Sequence, residues 1–340
     1  MALALPLIAA IAAIGAVSKS TAIGATTRLP AGREIPSLSG ATAWINTQPL
    51  TSADLHGKVV LVEFWTYTCI NWRRTLPYVR AWADRYKDKG LVVIGVSTPE
   101  FSFEKDVNNV QRAVKEMDMT FPIAIDNNYG VWRAFDNEYW PALYFIDAKG
   151  HIRHHQFGEG DYEGSEMVIQ QLLAETGAKD IPTGLATVHP AGAELAADMN
   201  TLGSGETYVG AGRAENFSPN TSAANLQLNQ WTLEGSWARG EEAATCNKAG
   251  GKIIYRFHAR DVNLIMGPAK PGGTPVRFRV LIDGHAPGAA HGVDVDEQGN
   301  GNAGEQGMYQ LIRQPGPIIN REFTIEFVDP GIQAFDFTFG

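Results

Sequence analysis

The pattern of apolar residues predicts an α/β layered domain followed by an all-β sandwich. From residue 36 to about 177, apolar runs of strand length alternate with stretches whose apolar residues recur every three or four positions. Beyond residue 205 the pattern becomes strict alternation, as in "VRFRVLI", punctuated by Gly, Pro and Asp turns. A chain of 340 residues is long for a single core, which agrees with two domains.

Taken in order, the chain opens on "ALALPLIAAIAAIGAV", Ala2 to Val17, an unbroken apolar run. It is short for a membrane span, which needs about 20 such residues. It suits a signal peptide over residues 1–22, with Ser20-Thr21-Ala22 as a small-x-small cleavage site, although no Lys or Arg precedes it. An uncleaved anchor or a misassigned start is the alternative. "KVVLVEFW", Lys58 to Trp65, reads as a central buried strand. Leu76, Val79, Ala83 and Tyr86 mark a helix closed by Gly90, with Pro77 predicting a kink. "LVVIGVS" is a second buried strand, and Val107, Val110, Val114 and Met117 mark another helix. "FPIAID" and "ALYFID" follow as strands, "HIRHHQF" as an edge strand, and Val168, Ile169, Leu172 and Leu173 as the face of a helix ending at Gly177. Residues 178–204, rich in Ala, Gly, Pro and Thr, read as a flexible linker. In residues 205–340, "VRFRVLI", "REFTIEFVDPG" and "QAFDFTFG" have one wet face each, as antiparallel sandwich strands do. There is no internal repeat.

The net charge of −9 argues against a nucleic-acid partner, which would require a basic face. Two cysteines rule out a disulfide-stapled scaffold, so each needs its own explanation. Cys69 follows a buried strand and opens a helix. Unpaired N–H groups and the helix dipole would favour its thiolate, as would Arg73 or Arg74 if either turned toward it. A free Cys also serves as a small buried hydrophobe, and placement alone leaves both roles open. Glu63 stands in the apolar strand six residues before Cys69, where burial would raise its pKa; the other reading is a strand-end Glu reaching solvent. Trp140-Pro141 precedes "ALYFID", and a cis bond there would bring a turn beside the sulfur, whereas trans is the ordinary state.

These residues resemble the thioredoxin-like family. "VVLVEFWTYTCINW" follows its order of strand, acid, Phe-Trp and nucleophilic Cys, and the layout is similar to the TlpA/ResA branch of extracytoplasmic thiol–disulfide oxidoreductases. "FWTYTCIN", "TPEFSFEK", "IAIDNNYGVWRAF", "YWPALYFID" and "FGEGDY" are closer still to the C-terminal region of DipZ-type proteins. That resemblance covers residues 36 to 340. It implies a thioredoxin-like domain followed by a sandwich similar to a carbohydrate-binding-module jelly roll. It further implies that Cys69 is the attacking cysteine, Glu63 the buried acid that moves the second cysteine's proton, and Pro141 the cis-proline beside the sulfur. The departure is Trp72, which occupies the resolving cysteine's place. A bulky indole there would narrow the groove over the sulfur.

With no second thiol one turn away, dithiol exchange cannot finish within the helix. Three readings stay open: a one-cysteine exchanger of protein or small-molecule thiols and disulfides, a non-catalytic binding protein, and a one-cysteine peroxidase. Thr66-x-x-Cys69 has the peroxiredoxin spacing, but Val62 stands where that pattern has Pro. No cofactor is expected. Cys246, in the loop-like "EEAATCNKAGG", could resolve Cys69 only if their α-carbons came within about 7 Å. Asp294, Asp296, Gln298 and Glu305 fall near calcium-loop spacing, but Gln298 is unusual there, no helices flank the stretch, and an acidic turn explains it as well. His154 and His155 point to opposite faces of their strand and make a poor metal pair. Trp231 and Trp237 could stack on a sugar, or fill the sandwich core.

Overall fold

The computed structural model describes residue 29, residues 32–270 and residues 272–340. The apolar run Ala2–Val17 and its cleavage site lie outside them. The first domain holds strands β1 (Ala43–Ile45), β2 (Val59–Trp65), β3 (Leu91–Ser97), β4 (Ile123–Ile125), β5 (Ala142–Ile146) and β6 (Ile152–Phe157), with helices α1 (Ser52–Leu55), α2 (Ile70–Tyr86), α3 (Val107–Glu116), α4 (Gly130–Phe135) and α5 (Tyr162–Glu175). They form one six-stranded sheet in the order β1-β4-β3-β2-β5-β6. As predicted, β2 is central; it pairs parallel with β3 and antiparallel with β5.

The period-two rule divides β2 between two cores. Val60, Val62 and Phe64 pack with Val131 and Phe135 of α4 on one face. Val59, Leu61 and Trp65 pack under α2, α3 and α5 on the other. Glu63 belongs by register to this second face. Helix α2 runs through Pro77 and ends in a 3₁₀ turn, Lys87–Lys89, closed by Gly90 at φ 100°. A left-handed residue there favours glycine, as the sequence indicated.

The second domain is a sandwich of two antiparallel sheets. One orders β15 (Gly307–Arg313), β12 (Asp261–Pro268), β17 (Ile332–Phe339), β10 (Ala244–Cys246) and β9 (Trp237–Arg239), with β7 (Thr207–Tyr208) on β17. The other orders β14 (Asn300–Ala303), β13 (Val276–Ile282), β16 (Arg321–Phe327), β11 (Gly251–Phe257) and β8 (Trp231–Glu234). Val276, Phe278, Val280 and Ile282 face the core between the sheets, as their alternation predicted.

The two domains share an apolar contact. Ile70 and Phe101 of the first meet Ala243, Ile265, Met308 and Phe335 of the second. The Phe335 ring lies 5.4 Å from Phe101 and 4.8 Å from Phe103. Gly340 comes so close to Arg74 that a side chain there would collide with the guanidinium.

Segment 178–204, read as a linker, is fastened at several points. Arg85 donates to the carbonyls of Thr183 and Gly184, and the Ala186 N–H donates to Glu166. Arg80 pairs with Glu194 at 2.8 Å, and Arg313 of the sandwich donates to the Gly192 carbonyl at 2.7 Å. Its small residues let the chain lie flat on α2, and arginines from both sides hold it.

Candidate active site

Helix α2 begins where β2 ends, so its first residues stand at the carboxyl edge of the sheet. Cys69 is its N-cap, with φ −69° and ψ 114°. Its N–H donates to the Thr66 carbonyl at 3.2 Å, and its Sγ lies 3.7 Å from the Trp140 carbonyl oxygen. The Trp140–Pro141 bond is cis, and Trp140 is held by its indole N–H donating to the Thr98 carbonyl at 3.1 Å. Cys69 and the Pro141 turn are therefore brought together, as the sequence suggested.

The expected low-pKa thiolate is not what the surroundings produce. Burial pushes the Cys69 thiol well up, and the charges of Glu206 and Glu100 push the same way. The N–H groups of Trp72 and Asn71 at the helix start oppose this but are outweighed. The two arginines of the first turn are committed elsewhere. Arg73 donates to the Tyr67 carbonyl at 2.9 Å, and Arg74 pairs with Glu159 at 2.9 Å.

Trp72 is fully buried, and its ring stacks on Trp65 at 4.5 Å. It does not narrow the groove over the sulfur, because one turn into α2 its side chain points down into the core. It lies over the face of β2 that carries Glu63. Neither Glu63 oxygen has a hydrogen-bond partner, nor does the Trp72 indole nitrogen. Burial raises the Glu63 pKa to about 8, with the Trp72 indole pulling weakly downward. A strand-end Glu reaching solvent is thus excluded: Glu63 is a buried, mainly neutral carboxyl with no thiol above it.

Cys246 lies on a strand rather than in a loop, sealed in the sandwich core, and both cysteines are free. Its Sγ lies 3.0 Å from the Lys248 carbonyl oxygen. The Thr66 hydroxyl has no partner, whereas the Thr68 hydroxyl donates to Glu104 at 2.5 Å. Glu104 in turn accepts the N–H groups of Glu100 and Phe101, which fixes the loop after β3. Burial raises Glu104 to about 7.

The acidic loop is a turn that uses its own side chains. Asp294 accepts the Gln310 N–H at 2.7 Å, Asp296 accepts the Asn300 N–H at 2.7 Å, and Glu305 faces Arg112 of α3 at 3.4 Å. The Gln298 carbonyl accepts from Arg279 at 3.4 Å. Among the described residues no three His, Cys, Asp or Glu side chains are placed to hold a metal ion. Trp231 is fully buried, and Trp237 is partly exposed with its ring packed edge-on against Phe327. The rings of His154 and His155 lie 6.2 Å apart.

Above Cys69 the sandwich forms the far wall of a cleft of about 800 Å³. Cys69, Asn71, Arg74, Glu138 and Trp140 line one side, and Glu206, Tyr208, Arg213 and Thr338 the other. Glu100 bridges them: it accepts from the Tyr208 hydroxyl at 2.7 Å and pairs with Arg213 at 2.9 Å. The guanidinium of Arg213 stacks 3.6 Å over the Tyr208 ring. None of Glu100, Glu206, Tyr208 or Arg213 was singled out by sequence reasoning. The one available sign was the acid in "QAFDFTFG", since Asp336 interrupts an otherwise apolar strand and is fully buried.

Comparison with known proteins agrees with this architecture. Residues 31–155 match the AhpC/TSA family, and residues 204–340 match the family described as thioredoxin like C-terminal domain. The chain is 40% identical over 247 residues to Protein DipZ of Mycobacterium tuberculosis and of Mycobacterium bovis, covering 68% of this chain and 35% of DipZ. It therefore spans about a third of the length of those relatives. It is 32% identical over 142 residues to the thiol-disulfide oxidoreductase YkuV of Bacillus subtilis, covering 42% of this chain and 95% of YkuV. A thioredoxin-like protein solved in solution in its oxidized form is similar at 33% identity, covering 42% of this chain and 97% of that one, with a TM-score of 0.40.

Proposed function

The chain belongs to the thioredoxin-like family of thiol–disulfide oxidoreductases, and from that premise we propose that it works outside the cytoplasm as a one-cysteine exchanger. Cys69 gives up its proton, and its sulfur attacks a disulfide R–S–S–R′. A bond forms between Cys69 Sγ and one substrate sulfur, and R′–S⁻ leaves and takes up a proton. Cys69 is thereby oxidised and R′ reduced. A second, external thiol then attacks the mixed disulfide and returns Cys69 to its reduced form. Substrates are protein or small-molecule disulfides and thiols.

One observation carries the reading. The position one turn after Cys69 is a tryptophan locked in the core against Trp65, and the other cysteine is enclosed in the sandwich. The cleft beside Trp140 leaves Cys69 partly exposed, and through it a small disulfide can approach the sulfur. Export rests on the apolar run Ala2–Val17. Among the described residues, no helix is long and apolar enough to cross a membrane.

A second reading, a thioredoxin-fold binding protein that lost the reaction, is favoured by the raised Cys69 thiol. The deciding experiment exposes the protein to oxidised glutathione at pH 8 and weighs it intact. One glutathione adduct, absent in Cys69→Ser, supports exchange. An unmodified Cys69 in the folded protein supports the binding protein.

A further inference from the structure

A thiol held up by burial and by two neighbouring carboxylates needs a route for its proton, and Glu63 lies beneath the Trp72 indole in the core. Behind the opposite wall of the cleft lies another acid. Asp336 lies in β17, where Ile265 of β12 pairs with Asp336 while the next residue, Met266, pairs with Ala334. Phe335 is thus the extra residue of a β-bulge, a device that re-aims side chains. The bulge lets Phe335 plug the domain contact while Asp336 shares a face with Thr338, which lines the cleft. Asp336 is completely buried, and neither of its oxygens has a hydrogen-bond partner. Such a group costs stability wherever it serves no purpose.

We propose that Glu206, seconded by Asp336, is the proton acceptor and donor for Cys69, so that the sandwich domain completes the exchange site. Resting on the exchange reading above, this assigns the proton path. The groups around the pair are Glu100 from the loop after β3 and Arg213, Tyr208 and Tyr255 from the sandwich, while Cys69, Arg74 and Glu138 share the cleft with Glu206. Arg213 and Tyr208 both bond to Glu100, and both also act on Glu206, favouring its carboxylate. Arg74 is committed to Glu159. Glu206 itself is solvent-accessible at the cleft edge. Enclosure by the cleft raises it to about 7, with the charge of Glu100 adding to this. Burial, then the charge of Glu206, pushes the Asp336 carboxyl well above the usual carboxylate range. Two close carboxyls do not both ionise readily, so Asp336 keeps one proton and Glu206 is the member that exchanges.

The step balances. The Cys69 proton moves to the Glu206 carboxylate, removing the charge that opposed the thiolate. The sulfur attacks R–S–S–R′, and the same proton passes from Glu206 to R′–S⁻, which leaves as R′–SH. Glu206 ends as it began. Asp336 is a positioning residue that acts through Glu206.

The test measures the rate of Cys69 reaction with the neutral disulfide 2-hydroxyethyl disulfide between pH 5 and pH 10, for the full chain and for Glu206→Gln and Asp336→Asn. The wild-type profile should rise through an inflection near pH 7 before the thiol's own ionisation. Glu206→Gln should lose that inflection and react at least about 10-fold more slowly at pH 7.5. Asp336→Asn, which keeps the shape and replaces the acid proton facing Glu206 by a weaker donor, should move the inflection to higher pH. If Glu206 acts only as a repelling charge, Glu206→Gln reacts faster at every pH, and the proposal is overturned. Identical profiles in all three proteins overturn it too. No reaction in the wild type overturns this proposal and the exchange reading together, whereas reaction with unaltered variants overturns this proposal alone.

Discussion

Replacing Glu63 by Gln should make the first domain more stable in base and leave it nearly unchanged in acid. Glu63 is fully buried with both oxygens unpartnered, and burial raises its pKa from 4.5 to about 8. Unfolded, the carboxyl loses its proton near 4.5; folded, near 8. Between those values the folded state binds more protons than the unfolded state, so stability falls as pH rises. The contribution is fully present below about pH 4.5 and is lost as pH passes through 8. At about 1.4 kcal/mol per unit, the gap between 4.5 and 8 corresponds to an upper bound on the order of 5 kcal/mol. Gln fills the same space and does not titrate. Urea unfolding followed by tryptophan fluorescence, which reports the stacked Trp65 and Trp72, gives the difference between variant and wild type at each pH. That difference should be near zero at pH 4.5 and reach a few kcal/mol in favour of Glu63→Gln at pH 9. Equal stabilities at pH 9, or a difference independent of pH, would show that Glu63 is not a buried neutral acid.

Trp72→Cys should create a disulfide-capable pair with Cys69 and reduce insulin, but the emptied space beside Trp65 should cost about 3–5 kcal/mol; thiol titration and thermal melting check both. A folded variant in which oxidation links no bridge between Cys69 and the introduced thiol contradicts the geometry. Asp261 is fully buried and paired with Arg260 and Arg313 at 2.7 and 2.8 Å, so Asp261→Ala should lose on the order of 3 kcal/mol by calorimetry, and a loss under about 1 kcal/mol would contradict it. Limited proteolysis should cut residues 187–190, which lie between the anchored Ala186 and the turn at Gly192–Glu194. The two fragments should co-elute, held by the Phe335 contact; separation on gel filtration would count against that interface.

The strands and helices were legible because burial follows period in this chain. Lys58–Trp65 reads as a strand with two apolar faces, and the structure puts a core on each. The position of Cys69 and the Trp140–Pro141 turn were legible because both are local. What the sequence did not show was set by contacts distant along the chain. A helix N-terminus stabilises a thiolate in water, but the sandwich wall removes the water and adds Glu206 to Glu100, so the sign reverses. Trp72 suggested a crowded groove because spacing gives no direction; stacking on Trp65 sends it into the core. Segment 178–204 has the composition of a linker, yet Arg80, Arg85 and Arg313 fasten it from regions distant in sequence. Glu206 adjoins β7 and Asp336 lies on β17, and only the tertiary fold sets Glu206 across from Cys69 with Asp336 behind it.

One-cysteine exchange is tested most directly by counting turnovers. Reduced protein is mixed with excess 2-hydroxyethyl disulfide, free of other thiols, and released thiol is measured against protein. One equivalent of thiol should appear, with a Cys69 mixed disulfide by mass and no further release until an external thiol is added. Continued release beyond one equivalent that survives Cys246→Ser, or thioredoxin reductase-driven insulin reduction by the same protein, would contradict it.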